Sequence, residues 1–208
     1  MPLRVPAGRA GRPWLVHRLE IAGGAADVLD QKRRALTRER GRLEALVAEA
    51  RAEWERTAGE AADWLDRASV LAGERRLRLA RFHAGERATL QVRWRNFLGV
   101  AYPEKPELEL PALAGAAGVG GSAALPAAAA AHRRALEAAA RFGALQVAHD
   151  RISDELAATN RRLRAIERRW IPQHEGALAA LELALDEAER EDAVRTRWAI
   201  QRRGRLRP

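Results

Sequence analysis

A four-three ladder of mostly apolar residues runs unbroken through the N-terminal third of this chain, and it leaves few folds open. The series is Leu15, Leu19, Ala22, Ala26, Leu29, Arg33, Leu36, Arg40, Leu43, Val47, Ala50, Trp54, Thr57, Ala61, Trp64, Ala68 and Leu71, and only Arg33, Arg40 and Thr57 in it are not apolar. Such spacing keeps one stripe of an α-helix facing a partner helix, and a strict seven-residue repeat winds the pair into a left-handed supercoil. No proline interrupts residues 14 to 102. Gly23, Gly24, Gly41, Gly59 and Gly73 each cost a helix about 1 kcal/mol relative to alanine, which packing against the partner has to offset. At ~1.5 Å per residue, a helix over residues 14–72 extends close to ~90 Å, much longer than a compact domain of this length is wide.

The C-terminal third repeats the behaviour. Ile152, Leu156, Thr159, Leu163, Ile166 and Trp170 form a second ladder, and Leu178, Leu181, Leu185 and Ala188 continue it. The joint runs through Trp170, His174 and Leu178 in two steps of four, a stutter that locally changes the supercoil. Pro172 lies inside the stutter and removes one helical donor. The pattern predicts a bend or local unwinding near residues 168–174, not a helix end, because the ladder resumes afterwards.

Between the ladders the period changes. Leu90, Val92 and Trp94 alternate with Gln91, Arg93 and Arg95, as in a strand. Residues 104–111 hold two prolines directly after Pro103, and Gly115 to Ser122 is glycine-rich and reads as a mobile loop. The expected fold is mainly α: a long antiparallel two-helix coiled-coil hairpin with a small strand-containing insert between the helices. We read residues 1–208 as a single elongated domain, with an N-terminal helix over 14–82, a β-hairpin-like insert and loop over 84–125, and a C-terminal helix over 127–200. This topology sets both termini at one end of the rod and the insert at or towards the other.

Composition sharpens the picture. Alanine, glutamate, leucine and arginine dominate, and aromatics are only 5%, the balance of long helices rather than of a globule. The formal net charge is +9, but residues 1–20 and 190–208 carry +8 of it. A basic chain invites a nucleic-acid reading, which needs cations along an exposed helix face; here the long body is nearly neutral. With no cysteine, disulfides, thiolate metal sites and cysteine nucleophiles are excluded. No apolar run is long enough to span a membrane, and the N-terminus has no apolar signal core.

Nothing in the sequence assembles chemistry. The only lysines, Lys32 and Lys105, do not follow a glycine-rich run, so Gly118 to Ser122 is not a phosphate loop. His17, His83, His132, His149 and His174 form no metal-ligand spacing with carboxylates. His174 sits on the stutter seam, where a ring packed against the partner helix is the plain reading. Asp186, Glu187, Glu189, Glu191 and Asp192, beside Arg190 and Arg195, read as a solvated face with pairs one turn apart. Arg33 and Arg40 on the first seam either snorkel, pair with an acid opposite, or mark where the partner is another subunit and not the second helix. Trp54, Trp64 and Trp170 occupy ladder positions and read as core. Trp14 and Trp198 are expected near each other, poorly covered by the chain, as contacts for a surrounding sleeve.

The two ends also resemble a known family. Arg4-Val5-Pro6-Ala7-Gly8-Arg9, followed by Leu15, Arg18 and Leu19, is similar to the opening of the D subunit of V-type (archaeal-type) ATPases and ATP synthases. Residues Leu29 to Leu36, with Lys32 and Arg33, resemble its LLxxKRxxL segment. Thr159 to Glu167, with Arg161 and Arg162, resembles its TxRRVNALE segment; Ile171-Pro172 matches its IP, and Leu185 to Glu191 its LDExERE. The opening departs in having Ala-Gly where threonine is usual, and arginine replaces most lysines. The resemblance implies a central-stalk rotor without a catalytic site or cofactor. It would couple proton or sodium transport to ATP synthesis or hydrolysis, in the cytoplasm and peripheral to the membrane. Implied partners are the A and B subunits of the catalytic head, the F subunit alongside, and the C subunit (d in eukaryotes) at the membrane end. Implied head contacts are Arg4, Arg9, Arg12, Trp14, Arg190, Arg195, Arg197, Trp198, Arg202 and Arg203. The rival readings are a basic coiled coil that binds nucleic acid, another stalk-like hairpin, and a self-associating structural coiled coil.

Overall fold

The computed structural model describes residues 4–82, 87–111 and 122–204. His83, most of the glycine-rich stretch before Ser122, and Arg205 and Arg207 lie outside the described residues. The fold is mainly helical, with long helices packed against each other and a small two-stranded antiparallel sheet between them in the chain.

Helix α1 runs Gly11–Ala72, preceded by one 3-10 turn over Gly8–Ala10. Its start depends on a missing side chain. A β-carbon on Gly11 would stand 2.5 Å from the Pro6 carbonyl oxygen and 2.8 Å from Leu181 Cδ2, so only glycine lets residues 5 and 6 close over the helix end. Pro13 falls in the first turn, where its absent N–H has no intrahelical acceptor to miss. The helix stops at Gly73, whose φ of 76° is left-handed and whose N–H donates to the Ser69 carbonyl at 3.0 Å. The helix expected over 14–82 is therefore two helices, with α2 over Glu74–Phe82.

One arm of the predicted ladder is the seam proper. Leu15, Ala22, Leu36, Leu43, Ala50 and Thr57 recur at a stride of seven and are all buried, and Ala61 and Ala68 take over after one step of four. The other arm, including Leu19, Ala26, Val47 and Trp54, is half-buried, and Arg40 is exposed. Arg40 thus needs no partner across a seam, and Arg33 bonds Asp30 of its own helix through Nε at 2.8 Å. Thr57 is tolerated in the seam because its hydroxyl donates within the helix, 2.8 Å from the Glu53 carbonyl.

Strand β1 spans Thr89–Phe97 and β2 spans Val100–Glu109, joined by a two-residue turn. Both turn residues are left-handed, Leu98 at φ 51° and Gly99 at φ 87°, the geometry that matches strand twist in a tight hairpin. The register carries one irregularity between Arg93 and Trp94. Helix α3 covers Ala124–Ala165, a π-helical turn covers Ile166–Trp170, and α4 covers Ile171–Gly204. The stutter thus becomes an unwound turn, in which the Ile171 N–H reaches back five residues to the Ile166 carbonyl. Pro172 follows directly, where a widened turn tolerates a missing donor.

The chain packs as two units, Met1–Arg33 with Ala158–Pro208, and Arg34–Ala157. In the second, Leu36, Leu43, Ala148, Ile152, Leu156 and Tyr102 form one buried cluster, and Ala68, Ala124, Leu125 and Ala128 another. Glu49 lies 3.9 Å from Arg141 and Glu60 lies 3.7 Å from Arg134, so rising numbers on α1 meet falling numbers on α3. Trp54 stacks on Phe142 at 5.4 Å in the same antiparallel sense. The β-ribbon does not cap this unit. It lies along it, with Phe97 and Val100 packed against the first cluster. Tyr102 supplies the large apolar body that holds it there.

Candidate interaction surfaces

Two surfaces belong to the unit that contains the chain termini. At the first, Arg9 pairs with Glu189 at 2.8 Å and Arg12 with Glu182 at 2.9 Å. Both pairs are well exposed, so each contributes little to stability, but together they align α1 antiparallel to α4. Arg195 bonds Glu191 at 3.0 Å, and Arg190 lies 3.7 Å from Glu187, as expected of neighbours one turn apart. Asp186 is exposed on the same helix. Every described side chain from Glu189 to Arg203 is exposed, including Val194, Trp198 at 74% and Ile200. Arg4, Arg197, Arg202 and Arg203 are exposed as well.

Trp14 is not placed with Trp198. It is half-buried, carries the Arg18 guanidinium 4.5 Å from its ring centroid, and lines a groove with Ile21, Ile166 and Trp170. Its place close to the N-terminus put it near the tip; in the fold it lines a groove with residues of the π-helical turn. Trp170 in turn stacks on the buried His174 at 3.4 Å, and His174 Nδ1 lies 2.8 Å from the Trp170 carbonyl oxygen. The His174 ring therefore also packs on its own helix, one turn back.

Of the family-motif residues, Thr159, Arg161, Arg162, Glu167 and Pro172 lie in or on either side of the same turn along the chain. Thr159 is fully buried, and its hydroxyl has no hydrogen-bond partner among the described residues. Arg161, Arg162 and Glu167 are exposed, Pro172 closes the π-helical turn, and Lys32 and Arg33 are half-buried on α1.

The other unit carries a polar clamp that sequence reading did not foresee. The Tyr102 hydroxyl donates to Glu39 Oε1 at 2.8 Å, and Arg42 donates to the same carboxylate at 2.6 Å and 2.9 Å. Hydrogen bonds from Arg42 chiefly, and from Tyr102, hold the Glu39 carboxyl below its ordinary range against the opposing effect of burial. Burial, then the Glu39 carboxylate, pushes the Tyr102 hydroxyl up. On the far side of the ribbon Arg151 donates to the Ala101 carbonyl at 3.0 Å and covers the Trp94 ring at 4.9 Å. No local motif marks such a clamp, because Glu39 and Tyr102 are 63 positions apart.

Among the described residues no group of His, Cys, Asp and Glu could hold a metal ion, and no helix is long and apolar enough to cross a membrane. The class this defines is an antiparallel long-helix protein with a small β-ribbon. The family model for the ATP synthase D subunit matches residues 15–201, and on that match the chain belongs to the ATP synthase D subunit family. It is 32% identical to the V-type ATP synthase D subunit of Anaeromyxobacter sp. (strain Fw109-5), over 97% of this chain and 95% of that protein. The A-type ATP synthase D subunit of Pyrococcus furiosus is 31% identical, over 93% of this chain and 92% of its own.

Proposed function

We propose that this chain is the central-stalk rotor of a V/A-type rotary ATPase, a component with no catalytic site of its own. It would carry torque between a membrane ion-translocating ring and a catalytic head of A and B subunits. The observation that carries the reading is family membership over nearly the whole chain, joined to a helical pair whose terminal part is left uncovered. A supercoiled helix pair resists twisting, as an axle must. On this reading the exposed end of α4, with Arg195, Arg197, Trp198, Arg202 and Arg203, enters the head together with Arg4, Arg9, Arg12, Trp14 and Arg190. Arg9 and Arg12 serve there mainly to bind α1 to α4, because their charges already face Glu189 and Glu182. The F subunit lies alongside and the C (or d) subunit at the membrane end, so the chain sits in the cytoplasm and reaches the membrane only through the complex.

Purification of the tagged chain from its native cell tests this. Recovery of the A, B and F subunits with it is the expected result; a homodimer without them overturns the reading.

A further inference from the structure

A two-stranded ribbon has two outer edges, and here one is closed and the other open. In an antiparallel ladder every second pair exchanges both of its backbone bonds, and the pairs between them turn their N–H and C=O groups outward. The tight turn makes Phe97 and Val100 a bonded pair, and Arg95 and Tyr102 the next one. On β1 the backbone groups of Leu90, Val92, Trp94 and Asn96 therefore point away from the ribbon.

The outward positions of β2 are blunted. Pro103 stands opposite Trp94 and Pro106 opposite Val92, so two outward donors are missing. The outward carbonyl of Ala101 already accepts a bond from Arg151 at 3.0 Å. β1 has none of these devices. Thr89–Phe97 holds no proline and no lysine, and among the described residues no hydrogen bond reaches the outward backbone groups of Leu90, Val92, Trp94 or Asn96. A bare edge of this kind is a template for a further strand, which is why such edges are normally blunted or covered. The side chains along it define what fits. Leu90 and Trp94, 51% and 55% exposed, share one face of β1 with the half-buried Val92, and Gln91, Arg93 and Arg95 share the other. β1 itself carries no acid; Glu107 and Glu104, which meet Arg93 and Arg95, lie on β2. A second copy fits this edge poorly. Antiparallel pairing centred on Arg93 sets that arginine against itself, and pairing centred on Trp94 sets Arg93 against Arg95, like charges directly opposite. A copy centred on Val92 avoids the clash but offers neither arginine an acid.

We propose that the outer edge of β1 accepts an extended segment of a partner protein as a third strand of the sheet. The segment pairs with residues 90–96, a length of ~23 Å at about 3.3 Å per residue. Main-chain hydrogen bonds hold it, and alternate side chains set its identity. Apolar ones lie beside Leu90, Val92 and Trp94, and acidic ones beside Arg93 and Arg95. The proposal goes beyond the rotor reading, because it names a mode of binding and not the complex that uses it.

Residue-resolved hydrogen–deuterium exchange on the full chain tests it, first alone and then as recovered with bound partners from its native cell. Alone, the amides of Leu90, Val92, Trp94 and Asn96 should exchange at nearly the rate of an unstructured peptide, while those of Arg95 and Phe97 are slow. In the recovered material the four outward amides should slow at least tenfold. A photo-crosslinking residue, p-benzoylphenylalanine, at Leu90 should capture a segment that alternates apolar and acidic side chains. Val92→Pro removes only an outward donor and should lower that yield at least tenfold; Val92→Thr keeps the donor and should keep the yield. Outward amides that are already slow in the isolated chain overturn the proposal. So does an adduct to a helical segment, to nucleic acid or to a second copy of this chain. Outward amides that stay fast in material containing the A, B and F subunits overturn it too and leave the rotor reading intact. Slowing in material without those subunits keeps the strand edge and overturns the rotor reading instead.

Discussion

The ribbon-covered part of the helix pair and the terminal part of α4 both belong to long helices, yet the chain treats them oppositely. Around Leu43 and Ile152 it supplies its own cover: a second helix, a β-ribbon and the Tyr102–Glu39–Arg42 clamp. From Glu189 to Arg203 it supplies none, and Val194, Trp198 and Ile200 remain in solvent. The difference separates side chains that hold the fold from exposed side chains that, on the proposed reading, meet a partner. It also says which substitutions should disturb stability and which should disturb assembly.

The largest effect on stability should come from the covered region. Leu43→Ala removes a side chain that is 1% exposed, and should cost ~2–4 kcal/mol in urea denaturation followed by circular dichroism. A loss below about 1 kcal/mol would mean that the seam repacks, and that the two regions differ less than their burial implies. Next comes the clamp. Tyr102→Phe keeps the ring and deletes the bond to a charged acceptor, so a loss of ~1–2 kcal/mol is expected.

The clamp also has a pH signature. Glu39 is held below its ordinary pKa of 4.5, so its contribution is complete above that value and fades as pH falls through the lowered one. Tyr102 is held above its ordinary 10.0, so its contribution fades as pH climbs from 10.0 towards the raised value. Stability measured across pH should fall at both ends for the native chain. The Glu39→Gln, Tyr102→Phe double variant should show a flatter profile.

The smallest stability effects belong to the terminal region. A double-mutant cycle on Arg12 and Glu182 should return a coupling under ~1 kcal/mol, because both side chains are substantially exposed. Trp198→Ala should change stability by less than ~0.5 kcal/mol while lowering recovery of the A and B subunits. Deleting residues 195–208 should sharpen the same contrast, leaving the helix pair folded and weakening ATP synthesis in the assembled complex.

Much of this contrast was legible in the residues. The ladder located the seam, because burial at Leu15, Leu36, Leu43, Ile152 and Leu163 follows directly from helical periodicity. Alternation at Leu90, Val92 and Trp94 located β1. The stutter around Trp170 located an irregular turn, although spacing alone does not distinguish a bend from a π-helical turn. What spacing could not supply was pairing over long separations. Arg9 and Glu189 are 180 positions apart, so a tally along the chain counted as free a charge that is paired. The same limit hid the Tyr102–Glu39 bond. The direction of the Trp14 side chain was equally out of reach, because periodicity assigns a residue to a face without saying what it leans against.

Rotation is the central claim, and the absence of native cysteine makes it directly measurable. A single cysteine at the exposed Gln91 on β1, labelled with a polarised probe in the purified and surface-anchored complex, reports the orientation of this chain while ATP is hydrolysed. Continuous rotation in one direction relative to the catalytic head is the predicted result. A probe that holds one orientation while ATP turnover proceeds would contradict the account.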